Sequence, residues 1–226
     1  MKSLPFFILF FCITFGGVFG QTSKGEVSDP KAKAILERLR KQYDGFATMD
    51  ALFTLTIELP DTKKPDTRKG KMSQQGDSYR LETENEMIIS DGKTLWTYLK
   101  DLNRVQITEA RAKDKNTLLS PKQLIYAYEN KEFVYSLVGE ATEGGKSCNL
   151  VEFKPVKRNG DYTKLRIAVD KATDRIVSIK VFGRDNSRYT MQISSLKANV
   201  GNYAPGYFTF DKNNFKGVKV EDLRMD

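Results

Sequence analysis

The chain has 226 residues, 37 of them Lys or Arg against 29 Asp or Glu, which gives a formal charge of +8, and it contains no histidine. This length indicates one domain or a tight pair of domains. Without histidine the chain has no Ser-His-Asp or Cys-His catalytic set, no histidine-ligated zinc or iron, and no histidine to hold a haem.

The first twenty residues have the pattern of a cleaved secretory signal. Lys2 precedes an apolar run over residues 4–15, which is too short for a membrane-spanning helix of about 20 residues. The sequence Val-Phe-Gly at 18–20 places small residues where a signal peptidase reads them, so we expect cleavage after it. An uncleaved N-terminal anchor is the alternative. Cleavage leaves an exported single domain, residues 21–226.

Cys148 is the only cysteine left after that cleavage, so no intrachain disulfide is expected. Its alternation with Leu150 predicts a small buried side chain on a strand rather than a reactive thiol, since the chain has no imidazole to activate it. The positive charge is spread along the whole chain. This distribution indicates a solvated basic surface, and we expect no nucleic-acid binding.

An amphipathic helix is predicted over residues 29–45. Ser28 or Asp29 can cap its N-terminus, Pro30 suits its first turn, and Gly45 suits its end. Apolar residues recur at spacings of three and four, opposite Lys and Arg. They are Ala32, Ile35, Leu36, Leu39 and Tyr43.

The remainder alternates apolar and polar residues in short runs separated by turn residues, which predicts a mainly β fold with short helices. We expect one large curved antiparallel sheet of about eleven strands, in which strands adjacent in sequence are adjacent in space. The runs cover residues 51–59, 69–74, 79–83, 86–90, 94–99, 104–108, 133–138, 148–154, 162–169, 175–182, 188–196 and 207–210.

A second, shorter helix is predicted over residues 120–131. Ser120, Pro121 and Gln123 form a capping-box pattern with proline in the first turn. A helix of about ten residues is marginal alone in water, so it must dock on an apolar surface. It is either an ordinary connector packed on the core, which the pattern alone favours, or a movable lid.

No enzyme, metal or cofactor chemistry is indicated. Glu82, Glu84 and Glu86 alternate as on the wet face of a sheet, and no glycine-rich phosphate loop follows a strand and opens a helix. An exported chain with one strongly apolar sheet face and two amphipathic helices is typical of a carrier of hydrophobic ligands or of an interaction module.

Three segments of the chain resemble a known family. Residues 90–96 read SDGKTLW, with Tyr98 two positions later, and residues 208–210 and 217–222 read FTF and GVKVED. This pattern, in one register from about residue 29 to the C-terminus, is similar to the LolA family, the periplasmic carriers of outer-membrane lipoproteins.

The resemblance implies a fold and a function. The fold is an incomplete antiparallel β-barrel whose concave apolar face is covered by helices. The implied protein is a monomeric periplasmic chaperone that takes acylated lipoproteins from the inner-membrane lipoprotein-releasing ABC transporter to an outer-membrane receptor or to the outer membrane itself. Alternatives are a half-barrel sensor or scaffold domain that binds lipid or an envelope protein, and a carrier of a nonprotein lipid.

The same resemblance implies roles for individual residues. The wall of the acyl cavity would comprise Phe53, Leu55, Ile57, Tyr79, Leu81, Ile89, Phe133, Tyr135 and Leu150. The helical cover would comprise Leu36, Leu39, Leu124, Ile125 and Tyr128. Where the best-known members carry an arginine that holds the lid closed, this chain has Gln75, so the latch would be Gln75 or Arg80. The alternation does not decide which face Trp96 and Tyr98 take.

Overall fold

The computed structural model describes residues 28–110, 126–129, 133–157 and 160–224. Its α-helix, α1, spans Pro30–Asp44 and confirms the helix predicted over residues 29–45. The Asp29 carboxylate caps it by accepting the Lys31 N–H at 2.8 Å. That carboxylate also accepts the Leu137 N–H, and these two bonds hold the pKa of Asp29 below its usual value. No helix in the described ranges is long and apolar enough to cross a membrane.

Twelve strands form one sheet. They are β1 (Thr48–Glu58), β2 (Asp66–Gln75), β3 (Ser78–Thr83), β4 (Glu86–Ser90), β5 (Thr94–Leu99), β6 (Arg104–Glu109), β7 (Phe133–Glu143), β8 (Lys146–Pro155), β9 (Tyr162–Asp170), β10 (Ile176–Gly183), β11 (Arg188–Ala198) and β12 (Lys219–Asp222). Short 3-10 helices cover Lys100–Leu102, Ala127–Glu129 and Lys212–Asn214.

The sheet is open, with the order β12-β6-β5-β4-β3-β2-β1-β11-β10-β9-β8-β7. Its hairpins are antiparallel, and β1 pairs with β11 to join the two halves. This architecture confirms the predicted mainly β, incomplete barrel. Two details of the prediction are wrong. Residues 207–210 lie in turns instead of a strand, and the last strand, β12, pairs with β6 in parallel.

The helix α1 lies on one face of the sheet, which we call the inner face. Its apolar stripe packs against β7 to β10 and makes the largest buried cluster of the described chain. The members of this cluster are Ala32, Ile35, Leu36, Leu39, Phe133, Tyr135, Val151, Phe153, Leu165, Ile167, Val169, Ile176 and Val181. The helix is therefore fixed by ordinary core packing over one half of the sheet.

The opposite, outer face is crossed by residues 199–218, which we call the C-terminal strap. The Tyr203 hydroxyl donates to Asp50 on β1 at 2.6 Å, and the Tyr207 hydroxyl lies 3.1 Å from the Ser73 hydroxyl on β2. Further along, Phe215 packs on Tyr98 of β5 with ring centroids 4.7 Å apart. The strap buries Met87, Ile89, Tyr98 and Val105, so the sheet has apolar cores on both faces.

Of the second predicted helix, residues 120–125 and 130–131 lie outside the described residues. The part that is described contains the 3-10 turn Ala127–Glu129. Tyr128 in this turn packs edge to face against Tyr135, with ring centroids 6.3 Å apart. The turn therefore docks on the edge of the core beneath α1.

Candidate functional site

The inner face is closed on one half and open on the other within the described part of the chain. On β1 to β5, half-buried apolar side chains point to the inner face and pack against none of the described buried clusters. They are Ile57, Tyr79, Ile88, Leu95 and Leu99, which we call the open apolar surface. An apolar surface of this kind is a candidate binding surface for apolar ligands.

Five of the predicted wall residues share this half of the inner face. Strand pairing places Phe53 opposite Gly70, Met72 opposite Leu81, and Gln74 opposite Tyr79. Phe53 is buried, with an exposed fraction of 3%, whereas the other four are half-buried. The structure thus brings together Phe53, Leu55, Ile57, Tyr79 and Leu81.

Phe133 and Tyr135 also lie on the inner face, but on its closed half. Both belong to the cluster beneath α1. Their ring centroids lie 6.3 Å (Phe133) and 6.1 Å (Tyr135) from that of Phe153. They are core residues here and do not line the open apolar surface.

Ile89 and Leu150 lie on the outer face, so their assignment to the wall is wrong. Ile89 pairs with Arg80 and Trp96 and packs in the cluster under the C-terminal strap. Leu150 packs with Cys148 and Ala168, whereas its neighbour Val151 joins the inner cluster. Both strands carry apolar residues on successive positions, so their local pattern does not show which face Ile89 and Leu150 take.

Ile88, Leu95 and Leu99 are inner-face residues that the sequence analysis missed. Ile88 lies opposite Leu81 on β3, and this pairing continues the row that begins at Met72. The register that places Leu95 and Leu99 inward turns Trp96 and Tyr98 outward, where Tyr98 contacts the C-terminal strap. Only the strand pairing, not the local pattern, carries this information.

The predicted cover residues have different locations. Leu36 and Leu39 are fully buried in the cluster between α1 and the sheet, and Tyr128 packs at its edge. Leu124 and Ile125 lie outside the described residues.

The predicted latch is wrong for Arg80. Its side chain lies on the outer face, where the guanidinium donates to the Tyr207 carbonyl at 3.5 Å and lies 5.3 Å from the centroid of the Tyr207 ring. Glu82 is 3.6 Å away on the same face. Gln75 is exposed at the end of β2. Arg80 therefore holds the C-terminal strap and does not face the inner surface.

Replacing Arg80 by methionine should lower the free energy of unfolding by about 1 kcal/mol, since a cation–π contact and a hydrogen bond are lost while the aliphatic stem is retained. The strap should become easier to cleave by protease near residue 207, and binding of an acyl probe should not change. Urea unfolding, limited proteolysis and probe titration measure the three quantities. Altered probe binding with an intact strap would restore Arg80 as a latch.

A separate groove of about 560 Å³ lies between α1 and the turn Ala127–Glu129. Charged groups line it, including the ion pairs of Arg40 with Asp44 and with Glu129. Lys33, Glu37, Lys41 and Tyr128 complete its wall, so six of its seven lining residues are charged and it does not suit an acyl chain.

Cysteine and acidic side chains form no candidate metal site within the described ranges, which hold no group of three or more such residues suitably placed. Cys148 is fully buried on β8, as predicted, and burial raises the pKa of its thiol. Glu152 is buried on the outer face. Burial opposes its ionisation, but a hydrogen bond from Arg166 and the nearby Lys164 lower its pKa, as expected for a structural ion pair.

Comparison with known proteins identifies relatives. A curated relative, an uncharacterized protein of Methanocaldococcus jannaschii, is 22% identical over 185 residues, which are 81% of this chain and 52% of that protein, so the chain spans about half of its length. A solved structure of an uncharacterized conserved protein from Thermus thermophilus shares the fold, with a TM-score of 0.56, 12% identity, and coverage of 85% of this chain and 99% of that one. A LolA superfamily protein from Nitrosomonas europaea matches with a TM-score of 0.43, 12% identity, and coverage of 80% and 98%.

The family model described as outer membrane lipoprotein carrier protein LolA matches residues 44–211. The match includes β1 to β11 and most of the C-terminal strap, and covers 168 of the 226 residues. The chain belongs to the LolA family.

Proposed function

We propose that the protein is a periplasmic carrier that binds the acyl chains of lipoproteins on the open apolar surface. In this proposal it receives them from the inner-membrane lipoprotein-releasing ABC transporter and delivers them to the outer membrane or a receptor there. Removal of residues 1–20 would release the carrier domain, residues 21–226. The observation that supports the proposal best is the open apolar surface itself, whose five half-buried side chains belong to none of the described buried clusters, in a chain of the LolA family.

The energetics of acyl transfer favour an open surface over a closed cavity. Burial is worth about 0.8 kcal/mol per CH₂, so three long chains buried completely would exceed the ceiling of roughly 20 kcal/mol for noncovalent binding. A carrier of that affinity would not release its cargo. A surface that covers only one side of each chain retains enough affinity for capture and leaves the membrane able to compete.

Binding of a fluorescent fatty acid tests the proposal. The mature protein should bind the probe, and an acylated N-terminal lipopeptide should displace it, whereas the unacylated peptide should not. Replacing Ile57 or Ile88 by aspartate places a charge beneath the acyl chain and should weaken probe binding at least about tenfold. Both side chains lie outside the buried clusters, so the fold should persist.

Leu52→Asp is the matched control. Leu52 lies on β1 like Ile57, but it points to the outer face and is 54% exposed. The control should bind the probe as tightly as the wild type. Equal displacement by acylated and unacylated peptides would instead favour a protein-binding sensor, and displacement by lipids alone would favour a carrier of nonprotein lipid.

A further inference from the structure

One line of cross-strand neighbours on the inner face carries polar groups. Gln74 on β2 is the cross-strand partner of Tyr79 on β3, and Tyr79 is the partner of Ser90 on β4. Directly opposed residues of antiparallel strands have Cβ atoms about 4.5–5.5 Å apart, so the three side chains form one contiguous group. We call Gln74, Tyr79 and Ser90 the polar row. The next row along the strands is apolar and contains Met72, Leu81 and Ile88.

The Gln74 side chain presents an unpaired acceptor. Its amide Nε2 donates to the Gly76 carbonyl at 3.2 Å, and this bond fixes the orientation of the amide group. The carbonyl oxygen, Oε1, is then buried and has no hydrogen-bond partner in the described structure. A buried oxygen in this state is unfavourable in the free protein. It has almost no surface open to solvent, so a ligand N–H reaches it only when the Gln74 side chain shifts, and the new hydrogen bond then removes the penalty.

Tyr79 presents the complementary donor. Its phenol is half-buried, and burial raises its pKa, so the hydroxyl stays protonated over the physiological range. Ser90 is almost fully buried beside it, and its hydroxyl oxygen accepts a hydrogen bond from the Gly92 N–H at 3.1 Å. The polar row thus offers a hydrogen-bond acceptor and a donor on adjacent strands, at the border of the open apolar surface.

A secondary amide matches this pair of groups. Its N–H reaches an acceptor and its carbonyl reaches a donor, whereas an ester has the carbonyl alone and leaves Gln74 Oε1 unpaired. Side chains two residues apart on a strand are about 7 Å apart, so an acyl chain attached to the amide would start directly over Leu81 and Ile88.

We infer that the polar row is a binding subsite for the amide group that links an acyl chain to the N-terminus of a polypeptide, with Gln74 accepting its N–H and Tyr79 donating to its carbonyl. The subsite lets the protein discriminate N-acylated peptides from acyl esters of the same chain length. This inference rests on the proposed function, because it requires the acyl chain to lie on the open apolar surface.

A pair of fluorescent probes tests the inference. The first is an N-palmitoyl dipeptide amide, and the second is the corresponding O-palmitoyl compound, in which an ester oxygen replaces the N–H of the acyl amide and the other amide groups are unchanged. The wild-type protein should bind the amide about tenfold more tightly than the ester, the factor expected when one buried hydrogen bond is made or left unmade. Gln74→Leu, which removes the acceptor at similar size, should reduce this ratio to about one.

Two further variants complete the design. Tyr79→Phe should weaken amide and ester by the same factor of about five, because both ligands present a carbonyl. Gln75→Leu, at an exposed position on the same strand, should leave the ratio at its wild-type value. Thermal melting shows whether each variant is folded.

The outcomes separate the inference from the proposed function. Tight binding of both probes with no preference, or a preference that survives Gln74→Leu in a folded variant, overturns the subsite and leaves acyl binding intact. Failure of the wild type to bind either probe overturns the proposed function. A preference that is lost in Gln74→Leu and kept in Gln75→Leu supports the subsite.

Discussion

Replacing Phe153 by alanine should lower the free energy of unfolding by about 3–5 kcal/mol, the range observed when a large aromatic is deleted from a core. Phe153 is fully buried on the inner face of β8. Its ring packs against Phe133 and Tyr135, and the α1 stripe closes the same cluster. The side chains around Phe153 cannot easily collapse into the space left behind, because the hydrogen-bonded strands beneath α1 fix their positions.

Urea unfolding of Phe153→Ala and Leu150→Ala measures the difference between the two faces. Leu150 is half-buried on the outer face of the same strand, so its loss should cost about 1–2 kcal/mol. Phe153→Leu, a smaller deletion, keeps the comparison possible when the alanine variant does not fold. Equal costs at the two positions would contradict the register of β8.

The local elements were predictable because their signals are local. The Asp29 cap, Pro30 and Gly45 bracket α1 within one residue at each end. The turn at Asp91 and Gly92 separates β4 from β5, with Gly92 at a φ of 87° that other residues rarely adopt. Such turn chemistry depends on a few adjacent residues, so the strand boundaries could be predicted without knowledge of the partners.

The faces of the strands were less predictable, because burial depends on distant segments. β4 reads Glu-Met-Ile-Ile-Ser, with apolar residues at three successive positions. Met87 and Ile89 are covered by the C-terminal strap, more than a hundred residues later in the chain, whereas Ile88 faces inward. No alternation in β4 distinguishes the two faces, so Ile89 was assigned to the wrong one.

Part of the C-terminal strap, residues 207–210, has a sequence typical of a strand. Its aromatic residues Tyr207, Phe208 and Phe210 have high β propensity, yet none of them pairs in the sheet. Tyr207 and Phe208 pack edge to face, and Phe210 packs against Tyr98 on the outer face. Arg80 was proposed as a latch because the resemblance places Gln75 where family members carry an arginine. In the structure Arg80 binds the strap on the other side of the sheet.

Gly70 is the position on the open half of the inner face where a single methyl group should have the largest effect. Gly70 lies directly opposite Phe53, whose ring reaches over it. A Cβ built on Gly70 would lie 2.3 Å from Phe53 Cζ and 2.8 Å from the Glu82 carbonyl oxygen. Because Phe53 is buried and the carbonyl belongs to β3, neither group can move away without disturbing the sheet.

Gly70→Ala should therefore destabilise the protein by about 1–3 kcal/mol, the usual cost of overpacking, although restriction of the unfolded chain offsets part of it. The Phe53 ring can escape only toward the open apolar surface, so acyl-probe affinity should also fall. Combining Gly70→Ala with Phe53→Leu should recover stability relative to the sum of the two single changes, since a leucine leaves room for the methyl group. A double-mutant cycle by urea unfolding, together with probe titration of each variant, measures both effects. Strictly additive free energies would show that the Phe53 ring does not lie over Gly70, and an unchanged probe affinity in Gly70→Ala would show that this ring does not border the acyl site.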